Sequence, residues 1–295
     1  MADITLTATP VPKAGLLAAI AAVFRHRALS HAKVRLALLI LIPILALTIL
    51  APVLPIQKPL ETNLRAMMQF PSIEHVFGTD KMGRDIFSRT LAGVQVSLLV
   101  GFSVAAIALV FGMLLGTLAG FYGGLIDRAI MTVVDIFLAF PSLLLAIGLV
   151  SVMGTGIVPV ILAISLADVP RFIRLQRSQV LSLRSRAFID AARTVDASQY
   201  WLMTRHIVPN TLAAMLVAAS IAAANAILVE ASLSFLGLGI MPPQPSLGNI
   251  VRDGQTYLEQ AWWISTLPGV VILLIAIGLH FLSDGVRELL DPRSR

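Results

Sequence analysis

Two carboxylic acids lie inside apolar stretches of this chain, where an ionisable side chain could bind a cargo. Asp135 lies about two helical turns into one stretch, and Glu230 follows a largely apolar run of eighteen residues and precedes Ser234. A charge at membrane depth is costly, so such groups face a partner or a water-filled path. These three side chains are candidates for a pathway or gate. Helix packing at Asp135 and a cap or turn at Glu230 remain equally good explanations.

The chain lacks the residue combinations that catalysis requires. It has no cysteine, and Gly101-Phe-Ser103 resembles a serine nucleophile motif too weakly to carry weight. It has no Gly-x-x-x-x-Gly-Lys-Ser/Thr loop to cradle phosphates. No series of acids and histidines could relay protons, which argues against a proton-coupled carrier. We predict that the chain is not an enzyme and has no catalytic, cofactor-binding or metal site.

Composition indicates that these residues are positioned by membrane-spanning helices. Hydrophobic residues make up 57% of the 295 residues and charged residues only 13%, with a mean hydropathy of +0.89. These values lie far outside the range of soluble globular proteins. The net charge of +6 comes from basic residues beside apolar runs, not from a basic and aromatic patch, so nucleic-acid binding is not expected. The sequence predicts an all-α integral membrane protein in contact with lipid.

About six transmembrane helices are predicted, since a spanning helix needs about 20 apolar residues. The five clear candidates are Leu36 to Leu54, Leu98 to Ala119, Ala129 to Met153, Leu212 to Val229 and Trp262 to Leu282. The stretch from Ile157 to Val169 is too short alone, but an amphipathic continuation through Phe172 and Ile173 would make it a sixth span. Pro141, inside the third candidate, is expected to kink or break that helix.

The distribution of basic residues predicts the orientation. With six spans, one side of the membrane carries sixteen Lys and Arg residues and the other carries six. Loops rich in Lys and Arg are cytoplasmic. Both termini and the segment from Arg171 to Arg205 are therefore predicted to be cytoplasmic. The segment from Lys58 to Arg89 is an exception to this rule, because it is predicted to lie outside and yet contains five of the six remaining Lys and Arg residues.

Three glycines predict one tight helix pair. Gly112, Gly116 and Gly120 recur at every fourth residue, on one face of a helix. Small residues at this spacing let a neighbouring backbone approach closely in lipid. We interpret them as packing positions and not as ligands.

The basic segment between the third and fourth clear spans is predicted to form two helices outside the bilayer. Leu181 to Val195 has an apolar side and an arginine-rich side. A shorter helix is expected from a Ser198 cap to about Ile207, after which Pro209-Asn210 would redirect the chain. By composition alone, an amphipathic connector resting on the membrane surface is the favoured interpretation, because basic amphipathic helices commonly lie in the interface.

The segment resembles the cytoplasmic loop of ABC importer permeases. That loop carries Glu-Ala-Ala, three residues and Gly, and later His-x-x-Pro-Asn. The corresponding residues here, which the resemblance assigns to an ATPase coupling loop, are Asp190, Ala191, Ala192, Arg193, Asp196, His206, Pro209 and Asn210. Four further ordered stretches resemble the permeases for dipeptides, oligopeptides and nickel: Gly120-Phe-Tyr-Gly-Gly, Phe140-Pro-Ser, residues 230–239 and residues 283–293.

The resemblance extends to a motif in the first predicted extracytoplasmic segment. It lies within residues 75–89 and comprises Gly78, Thr79, Asp80, Gly83, Arg84 and Asp85. The chain departs from the family at Asp190, which stands in place of Glu, and at Asp196, which stands in place of the turn glycine. Aspartate tolerates the left-handed conformation of that turn better than most residues, so the turn is expected to be retained.

The resemblance implies the type I ABC importer permease fold, called MetI-like, and a subunit of the bacterial inner membrane without chemistry of its own. It implies a homologous second permease, one or two ABC ATPase subunits that bind ATP and magnesium, and an extracytoplasmic binding protein. Peptides are the default cargo, with nickel, glutathione or another small solute left open. The predicted layout is a cytoplasmic segment 1–35, a first transmembrane helix 36–56, an extracytoplasmic segment 57–93, a five-helix core 94–285 containing the coupling loop 171–210, and a cytoplasmic tail 286–295.

Overall fold

The computed structural model describes residues 31–194 and 196–290, and these residues form an all-helical protein. The predicted N-terminal segment up to residue 30 and the last five residues lie outside the described part. The helices are α1 (Ala32–Leu50), α2 (Ile86–Tyr122), α3 (Gly124–Leu138), α4 (Ser142–Met153), α5 (Ile157–Arg184), α6 (Ala187–Thr194), α7 (Gln199–Leu202), α8 (Val208–Phe235), α9 (Leu247–Gln255) and α10 (Trp263–Leu290). The all-α prediction is confirmed.

Four helical stretches of the described residues are long and apolar enough to cross a membrane. They are Ala32–Val53, Ile86–Tyr122, Gln199–Phe235 and Trp263–Glu288. Four of the predicted spans fall on them. Two of these stretches contain 37 residues, about 55 Å of helix, so each extends well beyond a hydrocarbon core of about 30 Å.

The predicted span from Ala129 to Met153 is broken near Pro141, as the sequence predicted. The chain forms α3 and α4 there, bent by 90° at a short break, and counted together they make a fifth span. Pro141 is the residue immediately before α4. Proline has no backbone N–H and disfavours helical geometry in the residue before it, so the break falls where the sequence predicted an irregularity.

Helix α5 is continuous over 28 residues and supplies the sixth predicted segment. It runs past Phe172 and Ile173 to Arg184, as the amphipathic continuation predicted. Its first half is apolar, whereas its second half carries several arginines. Because of these charges, the length and composition of α5 alone do not identify it as a membrane span.

The glycine stripe of α2 packs against α5, which confirms the predicted tight pair. A Cβ atom added at Gly112 would overlap Phe172. One added at Gly116 would lie 2.6 Å from the Ile173 carbonyl oxygen, and one at Gly120 would lie 2.8 Å from Val180 Cβ. The three glycines therefore set the separation between the two helices.

We predict that Gly112→Ala destabilises the protein, because the added methyl group meets the backbone and Cβ of Phe172. Overpacking of this kind costs about 1–3 kcal/mol. Gly148→Ala on α4 is the matched control, since nothing lies within 4 Å of its added methyl group. Thermal unfolding in detergent measures the difference, and equal midpoints for the two variants would refute the close contact.

Candidate functional site

The basic segment folds as a helix–turn–helix at one end of the bundle. After α5 ends at Arg184, the chain forms α6, a turn at Asp196, α7 and a single π-helical turn, Met203–Ile207, that leads into α8. The predicted helix from Leu181 to Val195 is thus interrupted at Ser185 and Arg186. Ser198 caps α7 as predicted, and its Oγ accepts a hydrogen bond from the Trp201 N–H at 3.3 Å.

The predicted redirection at Pro209-Asn210 is wrong. Pro209 lies in the first turn of α8, where helices tolerate proline. The π turn before it is closed by a hydrogen bond from the Val208 N–H to the Met203 carbonyl. Residues Gln199–Phe235 therefore continue as one span, and the short second helix of the loop is rigidly joined to a membrane helix.

The inner face of the helix–turn–helix is anchored in an apolar cluster. Ile189 of α6 is fully buried and packs with Leu202 and Ile207 from the second half of the loop. Phe121 of α2 and Val180 of α5 complete the cluster. Movement of this loop would therefore be transmitted to three long helices.

The outer face exposes small and aromatic residues. Asp190 and Ala191 are exposed, whereas Ala192 is half-buried against the cluster. Phe188 and Trp201 remain more than two-fifths exposed, and Tyr200 is 73% exposed. Arg193 belongs to α6, but its side chain lies outside the described part. The arrangement leaves an exposed surface around Ala191 that a protein partner could cover.

Asp196 adopts the left-handed conformation that the sequence comparison required, with φ of +57°. The Ala197 N–H donates to the Ala192 carbonyl at 3.2 Å, which is the six-to-one hydrogen bond of a Schellman motif. Ala192 and Ala197 also pack on the same apolar cluster. The turn is retained without glycine, as predicted.

We predict that Asp196→Val weakens the loop, because a β-branched residue fits the left-handed region poorly. Asp196→Gly is the matched variant and should stabilise the turn, since left-handed geometry costs an L residue roughly 1–2 kcal/mol. Hydrogen exchange of residues 187–202 measures both effects. Identical exchange in the two variants would show that the turn geometry is unimportant.

His206 and Asn210 hold the second half of the loop together. The His206 ring packs edge-on against Trp201, with ring centroids 4.6 Å apart, and lies 6.1 Å from Phe188. The Asn210 side-chain amide donates to the His206 carbonyl. His206 Nε2 is buried without a hydrogen-bond partner among the described residues. The two sequence halves of the motif, 187–196 and 198–210, are therefore in contact.

The motif within residues 75–89 folds around Asp80. This carboxylate accepts hydrogen bonds from Arg84 Nε and Arg89 Nη1, both at 2.6 Å, and from the N–H groups of Met82 and Arg84. Asp85 caps α2 by accepting from the Ser88 N–H at 2.7 Å, and it contacts the buried His75 ring at 3.1 Å. The two acids thus bind different groups and together fix the start of α2.

The remaining residues of this motif shape its loop. Gly78 and Gly83 have φ of +71° and +69°, and a Cβ atom at Gly83 would overlap the Asn63 carbonyl. Thr79 Oγ1 donates to the Ala66 carbonyl and accepts from the Gln69 N–H. The motif therefore builds a compact cap on the N-terminal end of α2.

The three candidate pathway residues occupy two different environments. Glu230 is fully buried and accepts hydrogen bonds from Ser97 and Ser234, each at 2.8 Å. Ser234 also accepts from the Ile240 N–H, so the pair secures the turn that follows α8. Asp135 is exposed and pairs with Arg174 of α5 at 2.5 Å. The two acids therefore do not belong to one site.

A cavity of about 280 Å³ contains polar residues that the sequence reasoning missed. Asp168 and Arg171 of α5, Asn225 of α8 and Ser142 of α4 line it. The signal was present in the sequence, because Asp168 and Arg171 stand at the end of an apolar run.

The described elements define a class of protein: a helical membrane subunit whose spans are joined by a folded, surface-exposed helix–turn–helix. The chain belongs to the family described as binding-protein-dependent transport system inner membrane component, which matches residues 112–295. It is therefore an inner membrane component of a transport system.

Two relatives and one solved structure illustrate the similarity. The chain is 42% identical to a dipeptide transport system permease protein of Alkalihalophilus pseudofirmus, over 88% of this chain and 85% of the relative. It is 38% identical to a glutathione transport system permease protein of Pectobacterium atrosepticum, over 76% and 74%. Its fold is similar to that of an inward-facing MetNI methionine ABC transporter, with a TM-score of 0.55 at 20% identity over 68% of this chain and 95% of the other.

Proposed function

We propose that this chain is one of the two pore-forming permease subunits of an ATP-driven importer of short peptides. The observation that carries the proposal is the 42% identity to a dipeptide permease over 88% of the chain. The sequence has no phosphate-binding loop, which supports one or two partner ATPase subunits as the sites that bind ATP and magnesium. The chain itself acts as the moving gate.

Coupling takes place at the helix–turn–helix of residues 187–207. Its exposed surface around Ala191 is the contact for the ATPase, and its buried Ile189 face transmits movement to α2, α5 and α8. The ATPase must bind the loop differently in its two conformations, because a partner without differential affinity shifts no equilibrium. With this loop in the cytoplasm, both termini are cytoplasmic as well.

The binding protein docks on the opposite end of the bundle. Segments 58–89 and 241–262 form that end, and the Asp80 cluster gives the first of them a fixed shape. Phe70 is 60% exposed and lies 6.3 Å from the half-exposed Trp262. Exposed aromatic residues on a rigid cap suit a protein interface, where such residues are enriched.

The second candidate cargo is glutathione, favoured by the relative from Pectobacterium atrosepticum. Glutathione is itself a tripeptide, so a pathway for short peptides could accept it. Nickel was left open by the sequence comparison, and nothing in the described residues favours it. Ligand screening of the cognate binding protein separates the three cargoes.

Co-purification tests the proposal. The chain, expressed with the second permease and ATPase subunits of its own system, should be recovered with an ATPase, and vesicles containing the complex should import dipeptide only with ATP and binding protein. Recovery without an ATPase, combined with uptake driven by an ion gradient, would overturn it.

A further inference from the structure

The polar cavity described above lies about half a membrane thickness from the adjacent ends of α5 and α8. Asp168 is eleven residues from the start of α5 at Ile157, and Asn225 is ten residues before the end of α8 at Phe235. At 1.5 Å per residue these distances are about 16 and 15 Å, half of a hydrocarbon core of about 30 Å. The two helix ends are adjacent, because the Gly156 N–H donates to the Gly239 carbonyl at 3.2 Å. The two side chains therefore lie at the same depth.

The break between α3 and α4 reaches the same level. Ser142, the first residue of α4, lines the cavity, and its hydroxyl accepts from Arg171 Nη2 at 3.3 Å. Secondary transporters bind their cargo near the bilayer midplane, beside helices that are interrupted there, and the same juxtaposition of a broken helix and a polar cavity is present here. Irregular backbone at that depth is tolerated where it is buried in protein or lines a water-filled cavity.

Arg171 differs from the next two arginines on its helix. Arg174 and Arg177 are each held at 2.5 Å by an acid of α3, Asp135 and Asp127 respectively. Arg171 has only Asp168 of its own helix, at 3.3 Å, as an acid partner among the described residues. That distance exceeds the usual 2.7–2.9 Å or so of a charge-assisted hydrogen bond, so both groups retain the capacity to bind another molecule.

The exposure of Arg171 shows which way the cavity faces. Its side chain is 56% exposed, and Asn225 is also exposed, whereas the side chain of Asp168 is only 12% exposed. An arginine with so weak a partner is too costly to face lipid at mid-membrane. The open side of the cavity must therefore face a second subunit or a water-filled path.

We propose that this cavity is a transient binding site for the charged ends of a peptide in transit. The Arg171 guanidinium binds the peptide carboxylate, the Asp168 carboxylate binds the ammonium group, and the Asn225 amide binds a peptide group. A paired donor and acceptor of opposite charge matches a zwitterion and rejects a molecule with capped ends. The cavity is close to the lower limit of small-molecule sites, about 300 Å³. This proposal rests on the proposed function of the chain.

Cysteine protection tests the site. The chain has no cysteine, so Leu228→Cys places a single thiol on the cavity wall. In the complete pore and ATPase complex in vesicles, without binding protein, alanyl-alanine should slow modification of that thiol. N-acetyl-alanyl-alanine amide should not. Mass spectrometry of this chain reads the modification.

Charge variants identify the residues responsible. Arg171→Gln and Asp168→Asn should each raise the alanyl-alanine concentration for half protection by about tenfold or more. Arg174→Gln, a matched change three residues away, should leave it unaltered, because Arg174 is tied to Asp135. Arg171→Lys keeps the charge and should give an intermediate value if Arg171→Gln fails to assemble.

Two results would overturn the site. One is equal protection by the free and the capped peptide, or none by either. The other is protection that survives both Arg171→Gln and Asp168→Asn. If the Leu228→Cys complex still imports dipeptide with ATP and binding protein in either case, the proposed function stands without this site. Loss of ATPase association and of ATP-driven import in the unmodified complex would instead refute the function.

Discussion

Ala191→Arg is expected to reduce peptide import strongly while ATP hydrolysis by the complex continues. Ala191 is exposed on the loop surface that we propose as the ATPase contact. A long cationic side chain at this position would hold the loop and the ATPase apart. The helix itself should persist, because arginine is nearly as good a helix former as alanine. Coupling between sites is commonly worth about 1–3 kcal/mol, and its loss should reduce import per ATP by about tenfold or more. Import and hydrolysis in vesicles measure this ratio.

The matched control is Ser182→Arg. Ser182 is exposed in the last turn of α5, so this variant adds the same charge outside α6. It should couple normally and reach the membrane in the same amount. If Ala191→Arg also couples normally, the loop is a membrane-surface helix and not a contact for the ATPase.

Asp80→Ala is expected to give the largest loss of stability. The Asp80 carboxylate is bonded to two arginines, of which Arg89 is only 3% exposed. Without it, Arg89 keeps only Asp253 as an acid partner within the described residues, at 3.7 Å. Removing one partner of a buried ion pair costs about 3–5 kcal/mol, because the other charge is left uncompensated. Thermal unfolding of the purified chain measures the loss.

Glu74→Ala removes the same charge from an exposed position of the same segment. Surface substitutions of this kind usually change the free energy of unfolding by no more than about 0.5 kcal/mol. A melting temperature for Asp80→Ala equal to that of Glu74→Ala would show that the cluster is not what holds the cap.

The features that the sequence predicted correctly each depend on the spacing or the conformational preference of residues close together in the chain. The spacing of Gly112, Gly116 and Gly120 matches the helical period, so a close helix contact followed directly. The left-handed turn at Asp196 followed because few residue types fit the position that glycine occupies in the related loop. The coupling role of the loop remains a proposal, because neither helix geometry nor burial identifies the partner.

The features that the sequence did not predict depend on packing between distant helices. Pro141 located the break between α3 and α4, but the 90° bend depends on how the two helices pack against the rest of the bundle. Pro209 was expected to end a helix, and the π turn before it allowed the helix to continue. The cavity brings Asp168 next to Asn225, 57 positions later in the chain. No local pattern predicts that two such distant residues line one cavity.

Site-specific cross-linking from Ala191→Cys tests the central claim most directly. Since the chain has no cysteine, a benzophenone maleimide attached there reports only its own surroundings in the assembled transporter. We expect an adduct with the ATPase subunit that changes in yield when ATP is bound, and none with the ATPase from Glu74→Cys at the other end of the bundle. Absence of any ATPase adduct from Ala191→Cys in a complex that hydrolyses ATP and imports peptide would contradict the coupling role of this loop.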